Sequence, residues 1–151
     1  MKTTRIIILT AICAVASITA LIAKPIAGPK GGRIVTQTSP HVEFLVGKDR
    51  IVTVSFYDDA LKSTPIANRI VTAIAEAKSG KTRLDFIEKD GALVSGKPLP
   101  DGDGYTIVLQ VRDSDGARPK NYRIVFHDEV CAECKRAEYA CICEGEDAHK
   151  H

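Results

Sequence analysis

Beyond residue 40, hydrophobic and polar residues alternate with a period of two through most of the chain. In His41-Val42-Glu43-Phe44-Leu45-Val46, the residues Val42, Phe44 and Val46 fall on one face. A Gly47-Lys48-Asp49-Arg50 turn follows, and then Val52, Val54 and Phe56 alternate with Thr53, Ser55 and Tyr57. Successive side chains of a strand point to opposite faces, so this pair predicts a β-hairpin. Residues 68–77 carry the β-branched Ile70, Val71, Thr72 and Ile74, although Ala67, Ala73, Ala75 and Ala77 also suit a helix. The tight Ser79-Gly80-Lys81 turn into the alternating Leu84 and Phe86 favours a strand there. Lys89-Asp90-Gly91 turns into Ala92-Leu93-Val94-Ser95, and residues 96–104 read as a loop by their Gly, Pro and Asp content. Residues 105–112 alternate through Ile107, Leu109 and Val111. After the Asp113-Ser114-Asp115-Gly116 turn, Tyr122, Ile124 and Phe126 make the last alternating run. Seven or eight short strands, with turn signals roughly every 8–12 residues, predict a mainly β domain over residues 33–127. The expected architecture is an antiparallel immunoglobulin-like β-sandwich.

Both ends depart from this pattern. Met-Lys-Thr-Thr-Arg precedes an uncharged run over residues 6–23, and a basic start followed by an apolar stretch is the form of a secretory signal. Residues 1–23 therefore read as a signal peptide. The alternative is a retained inner-membrane anchor, because the run reaches the lower limit of about 17–25 residues for a spanning helix. Cys13 belongs to this segment, and residues 24–32, KPIAGPKGG, form a linker. The expected location is periplasmic or secreted, with membrane contact only through residues 6–23.

Charge sharpens the division. Residues 128–151 hold seven acids against Lys135, Arg136 and Lys150, a net of −4. The chain as a whole is +2, so the region before the tail is basic. No basic stripe interleaved with aromatics occurs, and a nucleic-acid partner is not expected. An acidic tail ending His149-Lys150-His151 suits cations instead.

That tail also concentrates sulfur. Cys131, Cys134, Cys141 and Cys143 form a CxxC and a CxC separated by six residues. With Asp128 as cap, a helix over residues 129–139 is expected to bring Cys131, Cys134 and Cys141 to one face, with Cys143 folding back after it. Four sulfurs so placed suit a tetrahedral zinc site, and thiolates also suit Cu(I). An exported chain meets an oxidising compartment, so two structural disulfides are the competing reading. Thiol-redox chemistry is weaker, because the CxxC lacks the α/β setting of thioredoxin-like motifs.

Other candidate ligands are His149 and His151 as auxiliaries, His127 beside the cluster, and the pair His41 and Glu43 on what reads as an outward strand face. The acids of the Asp101-Gly102-Asp103-Gly104 loop are expected for turn formation and are too few for a calcium loop. No Gly-x-Ser-x-Gly, HExxH or phosphate loop is present, and no enzymatic activity is expected.

The segment Gly28-Pro29-Lys30-Gly31-Gly32-Arg33-Ile34-Val35, followed by His41-Val42-Glu43-Phe44, resembles the opening of small periplasmic β-sandwich modules. Such modules stand alone or at the N-terminus of heavy-metal efflux adaptor subunits, where a histidine often occupies the position of Lys30. The ending CKRAEYACIC is similar to that of exported proteins sharing this opening. The resemblance implies an envelope metal-binding accessory to an efflux or adaptor protein. The reading from another class is a structural or interaction sandwich whose tail is closed by disulfides.

Overall fold

A computed structural model describes residues 26–143, and the strand pattern appears in it nearly as the alternation predicts. The strands are β1 (Arg33–Ile34), β2 (His41–Val46), β3 (Val52–Tyr57), β4 (Ile70–Ala77), β5 (Gly80–Lys89), β6 (Ala92–Ser95), β7 (Tyr105–Arg112) and β8 (Lys120–Phe126). Within residues 68–77, Ile70–Ala77 is strand rather than helix, since Val71, Ala73 and Ala75 are buried while their neighbours are not. That alternation has period two. The short β1 begins directly after residues 24–32, the segment read as a linker.

The strands do not form an immunoglobulin-like sandwich. They make one antiparallel eight-stranded sheet in the order β1-β2-β3-β6-β5-β4-β7-β8, curved into a half-barrel. Continuity comes from the ten-residue β5. Its first half pairs with β4 (Thr72 opposite Asp85, Ala77 opposite Gly80), and its second half pairs with β6 (Phe86 opposite Ser95, Lys89 opposite Ala92). One strand that changes partner midway carries the ladder round the bend. Alternation specifies which face a residue occupies but not which neighbour its strand takes.

The concave side holds the core. Val42, Phe44, Val54 and Phe56 come from one half, and Leu84, Ile107, Leu109, Ile124 and Phe126 from the other, all nearly or fully buried. Among the described residues no helix is long and apolar enough to cross a membrane, and residues 6–23 lie outside that range.

Strand β2 is covered on both sides, which overturns the outward reading of His41 and Glu43. His41 is 6% and Glu43 1% exposed. The glycine-rich opening folds over Glu43. One carboxylate oxygen accepts from the Lys30 and Gly32 amides (3.0 and 2.8 Å), and the other accepts from the Tyr57 hydroxyl (2.7 Å). Burial first, and then the Glu43 hydrogen bond and charge, push the Tyr57 phenol up to about 12. Glu43 is therefore an anchor with its donors supplied, and His41 turns instead toward the Thr36 carbonyl and Asp59. A carboxylate taken out of water needs such donors.

The glycines make this covering possible. A β-carbon on Gly28 would collide with the Glu43 carboxylate and the Gly32 carbonyl, and one on Gly32 would strike the Phe44 carbonyl. Replacing Gly32→Ala is expected to cost about 1–3 kcal/mol of unfolding free energy, because backbone rather than a flexible side chain must shift. Urea denaturation of the variant measures this, and a loss below a few tenths would show that the covering segment is not held.

Candidate metal centre

The described part of the cysteine-bearing tail, residues 128–143, is neither an α-helix nor separate from the domain. Among its described residues the only helical piece is a 3-10 turn, Glu138–Ala140. Before it, residues 130–137 close as a narrow hairpin. Val130 bridges Ala137, the Cys131 amide donates to the Arg136 carbonyl (2.8 Å), and the Lys135 amide donates to the Cys131 carbonyl (3.0 Å). Lys135 takes a left-handed conformation (φ 59°) to turn the chain. A helix over 129–139 would have offered little apolar surface beyond Val130 and Tyr139. The hairpin instead frees Tyr139 to enter the core.

Tyr139 is 4% and Ala140 1% exposed. The Tyr139 ring meets Phe44 edge-on (6.0 Å between centroids, 89°) and Phe126 at a tilt (5.5 Å, 34°). It thus spans β2 and β8, which lie toward opposite ends of the strand order. Its hydroxyl accepts from the Val46 amide (2.9 Å), its amide donates to the His127 carbonyl (3.0 Å), and its carbonyl accepts from Arg33 (3.2 Å). The cysteine pairs flank this plug in sequence, so docking Tyr139 positions both.

The four sulfurs converge. Cys131 Sγ lies 3.7 Å from Cys143 and 3.6 Å from Cys141, and Cys134 lies 3.7 Å from Cys141. All four sulfurs are within 4.8 Å of one another, and all four cysteines are free. A regular tetrahedron with Zn–S bonds near 2.3 Å has S···S edges of about 3.8 Å, whereas a disulfide needs about 2.05 Å. The three closest separations match the edges, and the remaining pairs lie within 4.8 Å. Cys131 is buried and the other three are partly exposed, so the cluster lies at the surface end of the plug.

The thiols differ in readiness to ionise. Burial works to raise Cys134, but the backbone amides of Ile142 and Arg136 and the thiols of Cys141 and Cys131 outweigh it, bringing Cys134 down to about 6. Burial raises Cys141. Cys143 is raised first by its hydrogen bond with Cys141 and then by burial. Cys134 thus ionises more readily than Cys141 and Cys143, as expected for like groups in contact. The amide bonds to Cys134, and that from the Cys143 amide to Cys141 Sγ (3.4 Å), are of the kind that supports metal-bound thiolate.

His127 does not join the sulfur cluster. Its Nδ1 faces Asp103 (2.7 Å), whose other oxygen accepts from the Asp128 amide (3.0 Å). Partial desolvation acts to raise the Asp103 carboxyl, but the His127 bond and the Asp128 and Gly104 amides together hold it below its usual value. His149 and His151 lie outside the described residues. Sequence reading missed Tyr139, the anchor; Asp103, read as a turn residue; and Arg50. The Arg50 guanidinium donates to the Pro100 and Gly102 carbonyls, to the Tyr105 hydroxyl and to Asp128, and lies over the Phe126 ring at 5.2 Å. A lone aromatic between two cysteine pairs was the available signal for Tyr139. Nothing local marked the other two.

No known protein family matches the chain, and no curated protein or solved structure was found to be similar to it.

If Tyr139 holds the tail to the sheet, Tyr139→Phe should lose about 0.5–1.5 kcal/mol through the hydroxyl bond alone. Tyr139→Ala should lose about 3–5 kcal/mol, as for a large buried aromatic. Chemical denaturation followed by a probe of the sheet distinguishes this from a detached tail, for which both variants would match the native protein.

Proposed function

We propose that this chain is an exported, non-enzymatic metal-binding protein. It holds one thiophilic ion, zinc or copper(I), through Cys131, Cys134, Cys141 and Cys143, and serves as an accessory to envelope heavy-metal efflux. The observation that carries the metal reading is the convergence of four sulfurs at separations close to the edges of a tetrahedral thiolate site. Four protein ligands fill a tetrahedral ion, leaving no open position for a substrate, which favours holding over catalysis. The signal-like start and the resemblance of the glycine-rich opening and the cysteine-rich ending to efflux-associated modules support the export and efflux parts. The fold itself does not discriminate among functions.

A structural reading shares the same atoms. Cys131 is in contact with both Cys141 and Cys143, and Cys134 with Cys141, so oxidation would close two disulfides between the CxxC and CxC halves. Either a metal or two such disulfides would tie the hairpin to the segment that follows Tyr139. Elemental analysis with thiol titration on protein isolated without reductant separates them. One ion and four titratable thiols per chain are expected, and no ion with no titratable thiols would remove the metal reading.

Protons and metal compete for the same sulfurs. With Cys134 brought down to about 6 and Cys141 and Cys143 raised above the ordinary thiol value, uptake at neutral pH is expected to release one proton from each of Cys141 and Cys143. Affinity should therefore fall as pH is lowered, and more steeply once Cys134 also protonates. Titration with zinc in weakly buffered indicator, repeated across neutral and mildly acidic pH, checks both. Free metal at about a hundredfold excess over its dissociation constant should also stabilise the fold by about 2.7 kcal/mol, a gain abolished in Cys131→Ser/Cys134→Ser.

A further inference from the structure

The geometry points to a metal-capture station beside the four-cysteine centre, with His127 Nε2 as the first ligand met by an incoming ion and Asp103 as its positioning residue. This rests on the metal reading above and adds the route by which the ion reaches the sulfurs.

A cleft of about 860 Å³ opens at the seam between β1 and β8. Its walls include Arg33 and Ile34 of β1, Val125 of β8, His127, and from the cysteine centre Cys141 and Cys143. Cys131 and Cys134 do not line it. The half of the centre facing this cleft is therefore the CxC half, and an ion arriving through the cleft meets Cys141 and Cys143 before the other pair.

His127 is fixed at that wall in a ligand-ready form. An ionised carboxylate can only accept, so Asp103 requires the proton on Nδ1, and the neutral ring then carries its lone pair on Nε2. A carboxylate–histidine pair of this kind is the usual outer partner arrangement of metal-binding histidines. Asp103 is itself held by the Asp128 amide, and Arg50 binds the carbonyl of the adjoining Gly102. The His127 carbonyl accepts from the Tyr139 amide, so the imidazole and the cysteine pairs share one rigid mount. No partner for Nε2 is found among the described residues. A histidine alone binds a divalent ion weakly, so it can load the ion and release it. Ligand exchange then passes the ion from one nitrogen to the thiolates as their protons leave to solvent, with no change of oxidation state.

The test is the rate of uptake. Reduced, metal-free full-length protein is mixed rapidly with cadmium(II), and thiolate-to-metal charge-transfer absorbance is followed. His127→Ala is expected to slow uptake about tenfold while the final stoichiometry, spectrum and equilibrium affinity stay within about twofold of native. Asp103→Asn, which keeps the ring but frees its tautomer, is expected to slow uptake about threefold. His127→Gln keeps a donor for Asp103 but offers no imidazole, and should be as slow as His127→Ala. An unchanged rate in His127→Ala overturns the proposal. So does a native rate in His127→Gln, or an affinity that falls in parallel with the rate, since each assigns His127 a structural role. A native protein that binds no cadmium at all overturns the metal reading as well.

Discussion

The contact on which the arrangement depends is the Tyr139 ring set between Phe44 and Phe126. A half-barrel sheet leaves its two end regions without strand partners across the seam, and an apolar concave face there would meet water. Tyr139 fills that opening. Aromatic pairs contribute about 0.5–1.5 kcal/mol each beyond the area they bury. The hydroxyl and both backbone polar groups of Tyr139 also find partners on β1, on β2 and just beyond the end of β8. A ring so constrained fixes the chain on both sides of it, and those sides carry the two cysteine pairs.

The four-cysteine cluster is therefore a consequence of how the sheet is finished. A sulfur site on a free tail would have to order its own loops at about 1–2 kcal/mol of backbone entropy per residue. Here the core has already met much of that cost. The hairpin at 130–137 sets Cys131 and Cys134, the 3-10 turn redirects the chain after Tyr139, and Cys141 and Cys143 arrive opposite them. The nearby amides supply positive ends of dipoles toward the sulfurs, which lowers the proton affinity of Cys134 and suits bound thiolate.

The same logic explains Glu43. Alternation places it on the face opposite Val42 and Phe44, which in an ordinary two-layer protein would be wet. The Gly28–Gly32 turn covers that face and brings amides to the carboxylate, with glycines where side chains would collide. The motif that suggested a cation site is thus satisfied internally. Its conspicuous glycines report close packing of backbone against a buried acid.

The strand positions, their turns and the inward sets such as Ile107, Leu109 and Val111 follow from period-two alternation, because one face of each strand must leave water. The grouping of four cysteines within thirteen residues also stands in the sequence, since thiols so dense need a shared purpose. The tertiary structure decided the rest. It made one bent sheet of the expected sandwich, because β5 changes partner along its length and pairing is a non-local choice. It replaced the expected helix with a hairpin, because burying Tyr139 gains more than helical bonds over a mostly polar segment. It buried Glu43 and set Asp103 against His127, because both depend on segments distant in sequence meeting at one place.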